Sequence, residues 1–106
     1  MRNIALVTGA SSGIGKEFVR EISKKYKGLD EIWVVARRRE RLRELKKEII
    51  GTRVRILPLD LMEQESFERL KMVLAKEQPV VRILVNASGY GFRGLLNIRQ
   101  RKMRQE

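Results

Sequence analysis

The sequence predicts an α/β fold, a doubly wound parallel sheet of four strands in the order 3-2-1-4 with about three helices. Short apolar runs without polar alternation indicate strands that are covered on both faces, as parallel sheets usually are. Between these runs, apolar residues recur at helical spacing. The connecting loops are short, which favours right-handed crossovers, and a length of 106 residues allows one domain.

The four predicted strands are short and mostly apolar, and they cover residues 3–8, 31–36, 53–57 and 82–86. The third strand alternates basic and apolar residues, which suits an edge of the sheet. The fourth strand carries Ile83-Leu84-Val85 and lacks a further neighbour in this strand order. Its uncovered edge favours pairing with another copy of the chain or with a complementing second half.

Three amphipathic helices are predicted between the strands, over residues 14–25, 40–50 and 63–77. Gly28 is the predicted left-handed residue after the first helix, Gly51 ends the second, and Pro79 stops the third. The apolar residues that we expect to face the core are Ile14, Phe18, Val19, Ile22 and Tyr26, then Leu42, Leu45 and Ile49, then Phe67, Leu70, Val73 and Leu74.

Residues 8–15, Thr-Gly-Ala-Ser-Ser-Gly-Ile-Gly, join the first strand to the first helix and are predicted to form a phosphate cradle. The N–H groups at a helix start are unpaired, and the helix dipole favours an anion there. Gly9 is expected to form the tight turn, and Gly13 to let a pyrophosphate approach the backbone closely. Gly15 is expected to let the helix pack closely on the strand. The two serines add hydroxyl donors. The alternative is an ordinary strand-to-helix turn. The predicted cradle residues are Gly9, Ser11, Ser12, Gly13, Ile14 and Gly15.

This Thr-Gly-x3-Gly-x-Gly spacing resembles the signature of the short-chain dehydrogenase/reductase family, which has a Rossmann-like sheet and binds a nicotinamide dinucleotide. The resemblance covers the cofactor-binding half of the family. It implies that Asp60 and Leu61 lie beside the adenine ring, where Asp60 can accept a hydrogen bond from the adenine amino group. The alternative is that Asp60 caps the third helix and Leu61 belongs to the core.

Residues 86–89, Asn-Ala-Ser-Gly, are similar to the Asn-Asn-Ala-Gly turn of the family. The resemblance implies that Asn86, Ala87 and Gly89 line the ribose of the nicotinamide. Ala87 and Ser88 depart from the family pattern, so the side-chain contribution of its second Asn is missing. The alternative is that Asn86 and Gly89 merely serve a turn.

Two arginines after the second strand point to a phosphorylated ribose. About 20 residues after the glycines, folds that bind NAD place an acid for the ribose 2′-hydroxyl, but Ala36 stands here, followed by Arg37 and Arg38. Charge-assisted bonds to a 2′-phosphate favour NADP(H) over NAD(H) by roughly 10- to 150-fold. The alternative places both arginines at the solvated start of the second helix, where cations oppose the helix dipole.

No catalytic residue is assigned. The family transfers hydride between NADP(H) and a carbonyl or alcohol with a Ser and a Tyr that has Lys four residues on. Here Asp30 follows Tyr26 and Gly94 follows Tyr90 at that spacing. The resemblance implies that the catalytic segment belongs beyond residue 106, so we expect a nucleotide-binding portion that is inactive alone, and whether the chain is an enzyme stays open. Residues 1–94 are the expected NADP(H)-binding half-domain, and 95–106 a basic tail that forms a frayed helix.

The composition of the chain restricts the reactive groups, metal sites and partners that it can have. The absence of Cys and His excludes thiolate nucleophiles and the commonest metal ligands, so no metal site is predicted. No apolar run can cross a bilayer and no signal peptide precedes the first strand, which predicts a cytoplasmic protein without a membrane partner. The net charge of +11 attracts nucleic acid non-specifically. It also motivates an alternative function, a non-enzymatic basic module that binds a polyanion or a partner chain.

Overall fold

The structure is a computed structural model that describes residues 2–87. The strands form one parallel sheet in the order β3-β2-β1-β4, which confirms the predicted fold class and strand order. The elements are β1 Asn3–Thr8, α1 Gly13–Lys25, β2 Glu31–Ala36, α2 Arg39–Glu48, β3 Arg53–Pro58, α3 Gln64–Glu77 and β4 Val80–Asn86. The predicted tail 95–106 lies outside the described residues.

The sheet separates two apolar layers. On one face, α1 and α2 bury Val19, Ile22, Leu42 and Leu45 against the strands. On the other face, α3 buries Leu70 and Leu74 as predicted, while Phe67 and Val73 are only partly buried beside them. Every residue of β2 is buried because helices lie on both of its faces. Its Trp33 is fully buried. None of the helices within residues 2–87 has the length and apolar character that a membrane span requires.

The predicted apolar face of α1 is partly wrong. Val19 and Ile22 are buried, but Ile14, Phe18 and Tyr26 are 68%, 45% and 53% exposed. Helical spacing puts these side chains near one side of the helix, yet α1 packs mainly over β1, so only the centre of that side meets the sheet. The exposed three lie towards β4, beyond which no described strand or helix covers them.

The chain leaves α1 without a left-handed residue, so the prediction for Gly28 is wrong. The helix ends at Tyr26 in extended backbone, with φ −109° and ψ 98°. Among the described residues, positive φ occurs at Gly9, Gly51 and Gln78. Gly51, with φ 93°, follows the end of α2 as predicted, although that helix stops at Glu48.

A network of ion pairs joins the amino-terminal edge of the sheet to the end of α3. Arg2 contacts Glu31 at 2.9 Å and Glu77 at 2.8 Å, and Arg55 contacts Glu77 at 2.7 Å. Burial raises the pKa of Glu31, but hydrogen bonds from Trp33 and Arg2 outweigh it, and the net pKa is lowered. The pKa of Glu77 is also lowered, chiefly by the hydrogen bond from Arg55.

We expect Glu77→Gln to lower the free energy of unfolding by about 1–2 kcal/mol at neutral pH, since Arg55 loses its charged partner and Arg2 loses one of its two. A carboxyl whose pKa is lowered by folding stabilises above its unfolded pKa, about 4.3, and that stabilisation disappears as the pH falls through the folded pKa. The loss should therefore shrink in acid. Urea unfolding at several pH values, followed by the fluorescence of the single Trp, measures it. Glu68→Gln is the control, because among residues 2–87 the Glu68 carboxylate forms an ion pair with Lys71 alone, at 3.5 Å. Equal losses in both variants would contradict the prediction.

Candidate functional site

The predicted site residues gather at one edge of the sheet because parallel strands all end there. Gly9 follows β1, Arg37 follows β2, Asp60 follows β3, and Asn86 ends β4. The strand order places β1 between β2 and β4, so the loop after β1 lies at the centre of this edge. Gly89 lies outside the described residues.

The loop after β1 is a tight turn that its own hydrogen bonds hold in place. Gly9 has φ 68°, a conformation that glycine adopts without steric cost. The N–H of Ala10 donates to the Val35 carbonyl at 3.1 Å and ties the loop to β2. Ser12 is the N-cap of α1: its Oγ accepts from the Gly15 N–H at 3.0 Å and donates to the Gly9 carbonyl at 2.8 Å. The loop and the helix start are thus one hydrogen-bonded unit.

That role for Ser12 bears on its predicted contact with a phosphate. A hydroxyl has one proton, and Ser12 directs it to Gly9. The phosphate contact of Ser12 stays a prediction, and it would require this hydrogen bond to be exchanged. Ser11, half-buried in the same loop, makes no hydrogen bond through its hydroxyl to another described residue.

Gly13 and Gly15 differ in what surrounds them. A Cβ at Gly15 would stand 2.2 Å from the Gly9 carbonyl oxygen and 2.9 Å from Ala10 Cα, so the start of α1 lies close against the loop after β1, while the predicted packing of this glycine on the strand itself stays a prediction. A Cβ at Gly13 would meet nothing within 4 Å. The space over Gly13 is open and available to a ligand.

The start of α1 offers donors to an anion. Within residues 2–87, the N–H groups of Gly13 and Ile14 donate to no protein acceptor, while those of Gly15 and Lys16 are taken by Ser12. The first turn contains no acidic residue, and the helix is 13 residues long, so its dipole is not opposed there. Free N–H groups, an aligned dipole and open space over Gly13 are the features that anion binding at a helix start uses, and the phosphate cradle itself stays a prediction.

A pocket of about 160 Å³ adjoins this site, between the loops that follow β1, β2 and β3. Arg37 lines it, whereas Arg38 does not line it and is the N-cap residue of α2. The structure therefore distinguishes the two arginines. Arg38 lies at the start of α2, as the alternative interpretation has it, and Arg37 lies at the pocket. The lining residues are Gly9, Val35, Ala36, Arg37, Leu59, Asp60, Leu61 and Met62.

Asp60 is held at the pocket wall by a turn. Its Oδ1 accepts from the Met62 N–H at 3.0 Å, and its backbone carbonyl accepts from the Glu63 N–H at 3.0 Å. The N-cap of α3 is Glu63, so Asp60 does not cap that helix. Leu61 is partly buried against the core, as the alternative interpretation has it, and also lines the pocket.

Met62 is a pocket residue that the sequence analysis missed. It is 64% exposed although it is large and apolar, and it lies at the pocket rim. Its position directly after an acidic-apolar pair at a strand end was the only available signal. A flexible thioether at the rim of a small pocket can pack against a flat ring.

The end of β4 is fastened to the end of β1. The fully buried Thr8 donates through Oγ1 to Asn86 Oδ1 at 2.6 Å, and the Ala87 N–H donates to the Thr8 carbonyl at 2.9 Å. This arrangement orients the Asn86 amide and places Ala87 beside the end of β1. Asn86 and Ala87 thus lie at the predicted edge, on the opposite side of the Gly9 loop from the pocket.

Known proteins are similar to this chain in sequence. A family model described as short chain dehydrogenase matches residues 3–105. A 7beta-hydroxysteroid dehydrogenase from Clostridium sardiniense is 46% identical over 68 residues, which is 61% of this chain and 25% of the relative. Carbonyl reductase [NADPH] 3 from Rattus norvegicus is 35% identical over 92 residues, 85% of this chain and 32% of the relative.

A solved structure is similar to this chain in fold. L-sorbose reductase from Gluconobacter frateurii, complexed with NADPH and L-sorbose, superposes with a TM-score of 0.70 at 30% identity over 85% of this chain and 34% of that one. This chain therefore spans about a third or less of the length of these proteins. With the glycine cradle, the strand order and the family match in agreement, the chain belongs to the short-chain dehydrogenase family.

Proposed function

We propose that this chain is the NADP(H)-binding portion of an oxidoreductase that transfers hydride between the cofactor and a carbonyl or alcohol substrate. The observation that carries the proposal is the start of α1, where two N–H groups are free and the space over Gly13 is open, with a pocket beside it that Arg37 lines. The names of the similar proteins support the cofactor, since one is called an NADPH carbonyl reductase and another was solved with NADPH.

Each part of the site has a role in this proposal. The Gly13 and Ile14 N–H groups bind the pyrophosphate, and the Arg37 guanidinium binds the 2′-phosphate of the adenosine ribose. Asp60 accepts from the adenine amino group while Leu61 and Met62 contact the ring. Asn86, Ala87 and Gly89 line the ribose on the nicotinamide side. Ser11 and Arg38 supply outer contacts to the phosphates.

The bound nicotinamide supplies the hydride, and the described residues hold and orient it. We propose no catalytic residue among the 106 residues, because Tyr26 and Tyr90 lack a lysine four residues on. We propose residues 1–94 as the binding unit. Binding of nucleic acid by this chain is proposed only as a non-specific effect of its net charge of +11.

Calorimetric titration of the 106-residue chain with NADPH tests the proposal. We expect saturable binding below about 1 mM, and at least about tenfold weaker binding by Gly13→Val, because the added side chain fills the space that the pyrophosphate needs. Chemical unfolding serves as the control: the variant should be as stable as the parent, since a Cβ at Gly13 meets nothing within 4 Å.

Two results would count against this function. Absence of saturation at millimolar NADPH would remove the binding proposal. Binding that is equal in Gly13→Val and falls steeply with salt would favour the alternative of a basic module for polyanions.

A further inference from the structure

The positive charge of α2 is distributed unevenly around the helix. Its cations at the spacing i, i+4, i+7 and i+8 lie on one flank, which we call the outer flank of α2: Arg39, Arg43, Lys46 and Lys47. Glu44 and Glu48 lie on the other flank, where the Glu48 carboxylate pairs with the Arg20 guanidinium of α1 at 2.8 Å. That acidic flank therefore faces α1, and the outer flank faces away from it.

The outer flank lies on the β3 side of the sheet, because α2 packs on β2 and β3 and turns this flank away from α1. All four cations are exposed, and within residues 2–87 none of their side chains forms an ion pair or a hydrogen bond. In the same part of the chain Arg2, Arg20 and Arg55 are all paired with carboxylates. Unpaired cations are costly to bury against apolar protein, so we expect this flank to contact water or an anionic partner.

The cations of the outer flank do not all stabilise the helix. Lys46 and Lys47 lie in the last turn, where the helix dipole favours positive charge, but Arg39 lies in the first turn, where the dipole opposes it. Arg38, the N-cap residue before it, makes no side-chain hydrogen bond to the helix. An arginine that weakens its own helix start and pairs with no described carboxylate is better explained by a binding role than by stability.

We propose that the outer flank of α2 binds the phosphate backbone of duplex nucleic acid, independently of the base sequence. From Arg39 to Lys47 the helix rises about 12 Å. One strand of a duplex places a phosphate about every 3.4 Å along its axis, so the four cations can face about three or four successive phosphates. Binding then depends on these four residues and not on the net charge of +11 as a whole. It is also independent of the cofactor proposal, because none of the four lines the pocket.

The composition of the outer flank favours a duplex over other anionic partners. Its four residues include no aromatic side chain, on which the bases of a single strand would stack. They also include no apolar side chain of the kind that the core of a protein interface buries. Guanidinium and ammonium groups are the usual contacts to backbone phosphates, which position a protein on a duplex without reading its sequence. The chemistry of the flank therefore matches a row of phosphates.

Fluorescence anisotropy of a labelled duplex, measured from about 50 to about 200 mM salt, tests the proposal. A plot of log association constant against log salt concentration has a slope of about −0.9 per phosphate contact, so we expect about −3 to −4 for the parent chain. Arg43→Ala combined with Lys47→Ala should weaken binding and reduce the magnitude of the slope by about 1.8. Arg69→Ala combined with Lys76→Ala is the matched control, because it removes the same charges from exposed, unpaired positions of α3 on the other face of the sheet. The control should keep the parent slope to within about 0.5.

Three results would overturn the proposal. Equal slopes for the two double variants would mean that binding follows the net charge alone. Tighter binding of a single strand of the same length would indicate base stacking instead of backbone contacts. Equal displacement of the duplex by polyglutamate at the same charge concentration would indicate an acidic protein as the partner. Circular dichroism checks that both variants fold, and both should bind NADPH within about twofold of the parent, which keeps this result separate from the cofactor proposal.

Discussion

Replacing Gly15 with alanine is expected to destabilise the fold by about 3 kcal/mol, a shift in the midpoint of thermal unfolding of roughly 12–24 °C. The added Cβ would lie 2.2 Å from the Gly9 carbonyl oxygen and 2.9 Å from the carbonyl carbon of the same residue. These are backbone atoms, so no side-chain rotation can relieve the overlap. Gly9 accepts from Ser12, and α1 must therefore move together with its cap.

Gly13→Ala is the matched control for this substitution, because both glycines lie in the first turn of α1. A Cβ at Gly13 meets nothing within 4 Å, and alanine favours helix over glycine by up to about 1 kcal/mol. We expect its unfolding midpoint to equal or exceed that of the parent. Calorimetric melting of the three proteins measures the difference. A similar midpoint for Gly15→Ala and Gly13→Ala would show that the loop after β1 can yield.

The fold could be predicted because its signals are local. Uninterrupted apolar runs marked β1 and β2, and the bounds of both strands are those that the sequence indicated. The predictions that were wrong depend on contacts with other elements, which the sequence pattern of one element does not contain. Helical spacing identified an apolar side of α1, but only the packing of α1 over β1 decides that Val19 is buried and Phe18 exposed. At Gly28 the residue type favoured a left-handed turn, yet the extended backbone at Tyr26 redirects the chain before that point.

In the site, too, features that depend on nearby residues could be predicted, and features that depend on several strands could not. A close contact at Gly15 could be expected from the sequence because it joins residues only six positions apart in the chain, although the contact is with the loop at Gly9 and not with the strand. Met62 was missed because the pocket exists only when three strands end side by side. The sequence indicated both Arg37 and Arg38, and the structure distinguishes them, because Arg37 lines the pocket whereas Arg38 is the N-cap residue of α2.

Replacing Arg37 with alanine should weaken NADPH binding by roughly 10- to 150-fold and leave NADH binding unchanged. A guanidinium binds a phosphate through charge-assisted, often bidentate hydrogen bonds, and NADH has a hydroxyl in place of the 2′-phosphate. Arg37 is exposed and makes no hydrogen bond or ion pair with the other described residues, so its removal should not alter stability. The measurement is parallel calorimetric titration of parent and variant with both cofactors.

Arg43→Ala separates this local contact from the general effect of charge. It removes one positive charge from an exposed position of α2 that does not line the pocket. If the 2′-phosphate is bound by Arg37, the loss for Arg43→Ala stays within about twofold and diminishes with salt, because it acts only through the surrounding field. The loss for Arg37→Ala persists at high salt, since a paired guanidinium is screened less than a distant one. Equal losses in the two variants would mean that the cofactor preference comes from the basic surface as a whole and not from the pocket.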